Sequence, residues 1–270
     1  MKIEFLFQNT FKALRKTISP DVRKSVDLSI PSMPMVEACR ADDFDFFAPF
    51  IAAGNLTVRQ MWHACQRYFL GKTKSGQPIF WMIDDMLTPL DAHIGSSVWM
   101  SSLLKTREPL IASWQVTHCL FGLHLLCHTE ITETTEILSV PKALSEISEI
   151  PVCDKKSVES VRSVCHKKTV CVVESEKSAV LLSELFPEYL WMATGYLANL
   201  NERLFLPLKG HHVVCYPATD PTGDTYLLWL SVASEARKYG IDITVSRFLE
   251  DRATPYQKSR CIDLVDFLFF

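Results

Sequence analysis

Short apolar segments alternate with helical segments through the C-terminal part of the chain, and this alternation restricts the possible folds more than any other feature. Runs rich in β-branched residues are typical of buried strands, and their alternation with helices predicts a parallel sheet with right-handed crossovers. The predicted strands are residues 169–173, 189–192, 213–216 and 242–245, and the predicted helices are residues 176–185, 225–239 and 263–269. We therefore expect an α/β fold in which helices flank a parallel sheet.

The part of the chain before this region predicts a small α+β module over residues 1–128. Residues 1–40 carry aromatic and basic residues at helical spacing and predict a basic helical arm. Residues 42–70 also have a helical pattern, with Thr57 as an N-cap, and residues 79–83 predict a buried strand. The acidic pair Asp84 and Asp85 follows that strand; a turn explains it more simply than a metal site does.

Residues 129–167 differ in character from both neighbouring parts. Glutamates are spread among serine, threonine and isoleucine, and prolines at positions 141 and 151 interrupt the segment. We interpret it as an acidic connector or an inserted subdomain. The predicted domains are therefore residues 1–128, 129–167 and 168–270.

The composition is that of an ordinary globular protein, with 48% hydrophobic and 22% charged residues. A formal net charge of -3 argues against a protein that is held on nucleic acid by bulk positive charge. Local basic patches remain, and each is either a solvated face or a nucleic-acid contact. They comprise Lys12, Arg15, Lys16, Arg23 and Lys24 in the arm, and Lys155, Lys156, Lys167 and Lys168 before the first C-terminal strand.

No stretch of the sequence approaches the roughly 20 apolar residues that a membrane-spanning helix needs. The apolar run at the N-terminus is too short for a signal peptide. We expect a cytoplasmic protein with no membrane partner.

The nine cysteines contain no C-x-x-C pair, which favours reduced and mostly buried thiols. Some histidines and cysteines lie close together at near-helical spacing, so a zinc site is conceivable. Ordinary histidines on a mixed apolar helix explain them better, because no strong ligand pattern is met. These residues are His118, Cys119, His124, Cys127 and His128.

Acidic side chains follow two of the predicted parallel strands. Glu174 comes directly after the first strand, and Asp220 follows the third strand close to Gly223. Oxygen ligands from adjacent strand ends, completed by water and phosphate, suit Mg²⁺. The alternative explanation is structural: Glu174 and Asp220 would cap the helices that follow them.

Several motifs in this region resemble those of toprim domains, which occur in primases, topoisomerases and some nucleases. Residues 172–179, VVESEKSA, resemble the V-E-G-E-K-[DST]-A motif, and the spacing of Ala218, Asp220 and Gly223 resembles D-x-D-x-x-G. Residues 193–195 lie where toprim domains have a strand that ends in glycine. Residues 263–268, DLVDFL, resemble the closing D-L-x-D-x-L helix. The resemblance implies a Rossmann-like parallel sheet.

Earlier segments are similar to a narrower group, the primase-like toprim proteins of Bacteroidetes mobile elements. They are the Tyr68-x-x-Gly71 spacing, residues 78–84 and residues 119–126. This resemblance implies a role in DNA replication or mobilisation. DNA or RNA, and a protein of a replication or mobilisation complex, are the partners that it implies.

The resemblance also implies roles for individual residues. Glu174 would be the general acid or base, and Mg²⁺ would bind to Glu174 and Asp220, with Asp224 as a possible substitute ligand. Lys177 would meet a phosphate, and Lys167 and Lys168 are further candidates for nucleic-acid or phosphate binding.

The chain departs from the toprim pattern in ways that concern activity. Ala218 replaces the first aspartate of D-x-D, which removes a carboxylate from the metal site. The zinc-binding segment of primases is missing, and the acidic connector is unusually long. We favour a nucleic-acid-associated toprim protein with weakened or lost catalysis. The alternative is an active Mg²⁺-dependent primase or nuclease that uses Glu174 and Asp220.

Overall fold

The structure is a computed structural model that describes residues 30–95, 98–107, 118–128 and 168–269. Most of the predicted basic arm, the whole of the predicted connector at 129–167 and therefore Lys167 lie outside these ranges. The boundaries of the predicted domains at 128 and 168 accordingly stay a prediction.

The N-terminal part combines short helices with an antiparallel sheet. It contains α1 (Met33–Ala38), a 3-10 helix (Asp45–Phe47), α2 (Ala48–Ala52), α3 (Val58–Arg67), β1 (Gly71–Lys72), β2 (Pro78–Ile83), β3 (Pro89–Ile94), β4 (Val98–Trp99), α4 (Met100–Arg107) and a 3-10 helix (Leu123–His128). The four strands pair in sequence order, and every pairing is antiparallel. This α+β arrangement is the predicted one.

Local side-chain bonds explain where two of these elements begin and end. Thr57 and Gln60 form a reciprocal capping box at the start of α3, which confirms Thr57 as its N-cap. After β2, the Asp84 carboxylate accepts hydrogen bonds from the Met86 and Thr88 N–H groups, at 2.9 and 2.7 Å. Asp84 therefore closes the turn between β2 and β3.

The C-terminal part has the predicted alternation of strands and helices. It contains β5 (Val170–Val173), α5 (Glu176–Leu185), β6 (Leu190–Ala193), two 3-10 helices (Leu197–Asn199 and Glu202–Leu208), β7 (His212–Cys215), α6 (Asp224–Lys238), β8 (Asp242–Val245), α7 (Phe248–Arg252), α8 (Pro255–Ser259) and α9 (Leu264–Phe269). The strand order is β6-β5-β7-β8, and all pairings are parallel. The predicted α/β class is confirmed.

Buried residues of the two sheets belong to one hydrophobic cluster. Phe80 and Met82 project from one face of β2 into this cluster, together with Val172 and Trp191 of the parallel sheet. The alternate residues of β2, Ile79, Trp81 and Ile83, belong to a second, smaller cluster on the other face. Because both faces of β2 are covered, its sequence is a continuous apolar run rather than an alternating one.

Hydrogen bonds also connect the two parts at the β6 edge of the parallel sheet. Phe121 and Ala193 exchange backbone hydrogen bonds of 2.8 and 3.0 Å, which adds an antiparallel bridge to that edge. The Tyr68 hydroxyl donates to the Trp191 carbonyl at 2.8 Å, and both side chains are buried. The N-terminal part therefore covers an edge that would otherwise be unpaired.

The described cysteines are all free thiols, as predicted. Cys119, Cys171 and Cys215 are buried, and burial raises the pKa of each of these thiols. Cys127 and Cys261 are exposed. His124 is buried and its Nε2 lies 3.1 Å from the Arg67 carbonyl, so this histidine is held by the fold.

Candidate functional site at the strand ends

The order of the parallel strands creates a crevice between the ends of β5 and β7. The chain passes from β5 to β6 on one side, and then crosses to β7 on the other side. Such a reversal marks the place where open α/β sheets bind ligands, outside the carboxyl ends of the strands. Glu174 directly follows β5, and residues 217–220 follow β7, so the two predicted acidic positions border this crevice.

Glu174 is held by hydrogen bonds from the β7 side of the crevice. Its Oε1 accepts from the Trp229 indole N–H at 3.1 Å and from the Ala218 backbone N–H at 3.3 Å. Burial raises the pKa of the Glu174 carboxyl, the two donors act in the opposite direction, and the nearby carboxylates of Asp263 and Asp220 raise it further. Glu174 does not cap α5, because Ser175 occupies the N-cap position.

The Asp220 carboxylate is hydrogen-bonded to the start of α6. It accepts hydrogen bonds from the backbone N–H groups of Thr222, Asp224 and Thr225, at 2.8, 3.2 and 2.7 Å, and from the Thr222 hydroxyl at 2.6 Å. Burial opposes ionisation, but these hydrogen bonds outweigh it and lower the pKa of Asp220. Asp220 thus satisfies first-turn N–H groups of α6, although Gly223 is the formal N-cap residue.

Asp224 is the first residue of α6 and is exposed. Its Oδ2 lies 2.8 Å from the Thr222 hydroxyl. That hydroxyl has a single hydrogen, so it can donate to Asp224 or to Asp220 at any one time. Asp224 is therefore part of the same turn as Asp220, and its role as a substitute metal ligand stays a prediction.

These side chains do not fit a Mg²⁺ ion as they are arranged. Magnesium needs several oxygen ligands in near-octahedral geometry. Ala218 offers no side-chain oxygen, and the Asp220 carboxylate already accepts four hydrogen bonds. Within the described ranges, no three His, Cys, Asp or Glu side chains form a group that could hold a metal ion.

Asp263 is a further acid beside this crevice. It lies just before α9, and its carboxylate accepts a hydrogen bond from the Ser178 hydroxyl on α5. Burial raises the pKa of Asp263, although the bond from Ser178 opposes that effect. The sequence marks Asp263 only as part of a closing motif, whereas the structure places it within electrostatic reach of Glu174.

The predicted phosphate-binding lysines lie at different ends of the sheet. Lys177, in the first turn of α5, lines a cleft beside Glu174, and its Nζ lies 6.0 Å from the centre of the Phe46 ring. Lys168 precedes β5 and donates to the Pro187 carbonyl at 3.1 Å. Glu174 follows Lys168 by six positions, which corresponds to about 20 Å along an extended strand. Lys168 therefore lies at the opposite end of the strands from Glu174.

A cleft of about 320 Å³ opens beside Glu174 and extends toward the antiparallel sheet. Its walls include Glu174, Glu176 and Lys177 from the parallel side, and Phe80 and His93 from β2 and β3. It therefore lies between the two parts of the molecule, at the N-terminal end of α5.

A buried histidine–glutamate pair forms part of this cleft. His93 Nδ1 lies 2.7 Å from Glu176 Oε1, and the two residues are 4% and 5% exposed. The His93 ring stacks on Trp99, with the ring centres 4.8 Å apart. Gly195 has a φ of 74°, and a Cβ there would lie 2.8 Å from Glu176 Oε1. The pair is therefore fixed on several sides.

Sequence reasoning did not single out this pair. His93 and Glu176 are 83 residues apart, and β3, which carries His93, was not predicted. A signal for β3 was present: the acidic pair Asp84 and Asp85 ends β2, and Gly95 follows the apolar Ile94. Two strand-like runs around a short turn predict a hairpin.

Comparison with known proteins adds one limited finding. The profile of a family described as a domain of unknown function, DUF6371, matches residues 161–219, which is less than half of the chain. The matched part includes β5, α5, β6 and β7, and it ends one residue before Asp220. Searches of curated proteins and of solved structures gave no match.

Proposed function

We propose that this chain is a nucleic-acid-associated, toprim-like protein in which metal-dependent catalysis at the strand ends is weakened or lost. Weakened metal-dependent catalysis is inferred from the hydrogen bonds that Glu174 and Asp220 accept in the crevice between β5 and β7. There, the Ala218 backbone N–H donates to Glu174, and the Asp220 carboxylate is used to begin α6. Both acids thus have protein donors where a catalytic site would present oxygens to a metal.

Electrostatics supports the same interpretation of the crevice. A site built for a divalent cation holds carboxylates in the ionised state, and the cation then lowers their pKa values. Burial raises the pKa of Glu174 and of Asp263. A raised pKa makes the proton a stronger competitor of a metal ion at each of these carboxyls. Any affinity for Mg²⁺ is expected to be weak.

The proposed association with nucleic acid is supported by the toprim-like motifs and by the strand order around the crevice. Association with DNA or RNA would be local rather than driven by overall charge, since the net charge is -3. Lys177 is a basic side chain at the cleft, and Tyr196 is an aromatic one there that is 38% exposed. The proposed setting is a replication or mobilisation complex in the cytoplasm, in which a protein partner adds further contacts.

Binding of labelled single-stranded and double-stranded DNA and RNA, followed by fluorescence anisotropy, tests the association. We expect binding that is equal in the presence of EDTA and of Mg²⁺, because the crevice does not require the cation. Lys177→Ala and Lys168→Ala each remove one positive charge, at opposite ends of the sheet, so a comparison of the two variants shows which end contacts the nucleic acid. The absence of binding to every probe would contradict the proposal.

The Ala218→Asp variant tests the loss of the metal site. An added carboxylate beside Glu174 and Asp263 should lower the melting temperature in EDTA through like-charge repulsion, and Mg²⁺ should restore it. Wild-type protein should show little response to Mg²⁺ in the same thermal-shift measurement.

The active-enzyme alternative makes the opposite prediction. Primer synthesis or strand nicking by the wild-type protein that disappears in Glu174→Gln would establish that alternative. Micromolar affinity of the wild-type protein for Mg²⁺ would likewise argue against weakened metal binding.

A further inference from the structure

We propose that the cleft between the two sheets binds a phosphate group of a nucleotide unit without a metal ion, and that His93, held in position by Glu176, is its principal recognition residue. This inference rests on the proposed association with nucleic acid and specifies where and how one phosphate is bound. It concerns residues outside the strand-end acids Glu174 and Asp220.

The position of His93 leaves one ring nitrogen for a ligand. An ionised carboxylate can only accept hydrogen bonds, so the 2.7 Å contact with Glu176 places a hydrogen on His93 Nδ1. His93 lines the cleft, and Nε2 is the ring nitrogen that Glu176 does not contact. A phosphate oxygen only accepts hydrogen bonds, so in the proposed complex Nε2 also carries a hydrogen and the ring donates to both Glu176 and the phosphate. Stacking on Trp99 and burial to 4% exposure keep the ring from rotating, so the cost of ordering it on binding is small.

Donor groups at the cleft are available for an anion, while its two carboxylates are already hydrogen-bonded. Glu176 contacts His93, and Glu174 accepts hydrogen bonds from Trp229 and Ala218. Lys177 has no carboxylate within ion-pair distance among the residues that the structure describes. Its positive charge adds to the N-terminal end of α5, whose first N–H groups have no partner inside the helix.

The shape and lining of the cleft suit a single nucleotide unit. Its volume of about 320 Å³ is close to the lower end of small-molecule pockets, roughly 300 to 1,000 Å³. Phe80, Tyr196 and Leu197 provide an apolar wall next to the charged residues. Aromatic side chains beside a basic group are the usual means of holding a base and its phosphate in an unpaired strand.

Gly195 connects this cleft to the fold of the parallel sheet. The glycine follows β6, and any side chain there would press against the Glu176 carboxylate at 2.8 Å. The backbone therefore leaves room for Glu176 to reach His93, and the pair depends on a glycine at this position.

The experiment measures binding of two probes in EDTA: a labelled single-stranded oligonucleotide by fluorescence anisotropy, and a nucleoside triphosphate by calorimetry. His93→Gln removes the imidazole, and Lys177→Ala removes the charge. We expect each variant to weaken binding about tenfold, which corresponds to the loss of one charge-assisted hydrogen bond or ionic contact. Lys177 is partly exposed, so its variant keeps the proposal testable if His93→Gln does not fold.

The matched control is His63→Gln. His63 on α3 and Glu184 on α5 form a similar pair, with His63 Nδ1 2.7 Å from Glu184 Oε1. The His63 side chain, however, is 61% exposed and does not border the cleft. Its variant should bind both probes like the wild-type protein. Folding of each variant is checked by circular dichroism.

The outcomes separate this inference from the proposed function. Oligonucleotide binding that His93→Gln and Lys177→Ala leave unchanged would overturn the inference and leave the proposed function standing. Triphosphate binding that both variants weaken, without any oligonucleotide binding, would support the inference and contradict the association with nucleic acid. Failure of the wild-type protein to bind either probe would overturn both.

Discussion

The two strand-end acids have opposite environments, although they border the same crevice. Glu174 is partly buried near other carboxyl groups, and burial raises its pKa. Asp220 is surrounded by N–H and hydroxyl donors, and its pKa is lowered despite partial burial. Two acids with oppositely shifted pKa values are a common feature of acid–base sites. In this protein, however, the shift of Asp220 has a structural cause, the start of α6.

Replacement of Glu174 by glutamine should show this environment in the pH dependence of stability. Because the folded pKa lies above the unfolded value of about 4.5, the wild-type protein loses stability as pH rises through the folded pKa. Glutamine cannot ionise, and its side-chain oxygen can still accept from Trp229 and Ala218. The melting temperature of Glu174→Gln minus that of the wild-type protein should therefore increase from acidic to neutral pH.

Calorimetry at a series of pH values measures this difference. A change of about 2–4 °C is expected for each kcal/mol at comparable chain lengths. A difference that is constant with pH, or that decreases as pH rises, would contradict a raised pKa for Glu174.

At the scale of elements, the turn after β6 controls the histidine–glutamate pair. Gly195 has a positive φ, and its backbone N–H donates to the Glu174 carbonyl at 3.0 Å. The side-chain hydrogen is the only substituent that fits between this backbone and the Glu176 carboxylate. Gly195, just after β6, therefore contacts both Glu174, which follows β5, and Glu176, at the start of α5.

The Gly195→Ala variant should be destabilised more than a matched glycine variant. Gly76 has a similar φ of 83°, but nothing lies within 4 Å of a Cβ at that position. Gly76→Ala should cost about 1 kcal/mol for the left-handed backbone alone. Gly195→Ala adds the clash with Glu176, so its free energy of unfolding should be lower still. Denaturant titration measures both, and equal losses would contradict a tight fit at Gly195.

The sequence predicted the elements of the parallel sheet because their signals are local. The predicted helix 176–185 and the predicted strand 242–245 agree with the structure residue by residue. Strand β3 was missed because Asp91 and His93 interrupt the continuous apolar run that marks the other predicted strands, although both residues are buried. Asp91 is buried because it accepts hydrogen bonds from Ser101 across to α4, a partner that only the fold supplies.

Part of the candidate site could be predicted for the same local reason. The sequence placed Glu174 at a strand end and Lys177 in the first turn of a helix, and the structure has them there, because strand ends and helix starts are readable from a pattern. The sequence could not identify His93, since the contact with Glu176 joins residues that are distant in sequence. It also could not decide between metal binding and capping for Asp220, because both use the same oxygens; the hydrogen bonds to α6 show that the capping role is present.

For the whole molecule, the shared hydrophobic cluster determines how the described parts behave together. Phe47 and Phe121 of the N-terminal part belong to the same cluster as Val172 and Trp191 of the parallel sheet. Burial of apolar surface between the two parts contributes to the stability of both. None of the helices in the described ranges is long and apolar enough to cross a membrane.

We predict that the full chain unfolds in a single transition. Separation of the two parts would expose the apolar contacts around Trp191 and break the hydrogen bond between the Tyr68 hydroxyl and the Trp191 carbonyl, so neither part should melt alone. Tryptophan fluorescence and far-ultraviolet circular dichroism should give coincident denaturation curves. Two separate transitions would instead show that the predicted domains 1–128 and 168–270 are energetically independent.

The free thiols give this protein internal reporters of its own opening. Cys171 on β5 and Cys215 on β7 lie on neighbouring central strands, are buried in the core and have raised pKa values, so a thiol reagent reaches them only after the packing around the sheet opens. The exposed Cys261 reacts without any such opening. The labelling rates of these cysteines, resolved by mass spectrometry, would therefore report how often the core around the central strands opens under native conditions.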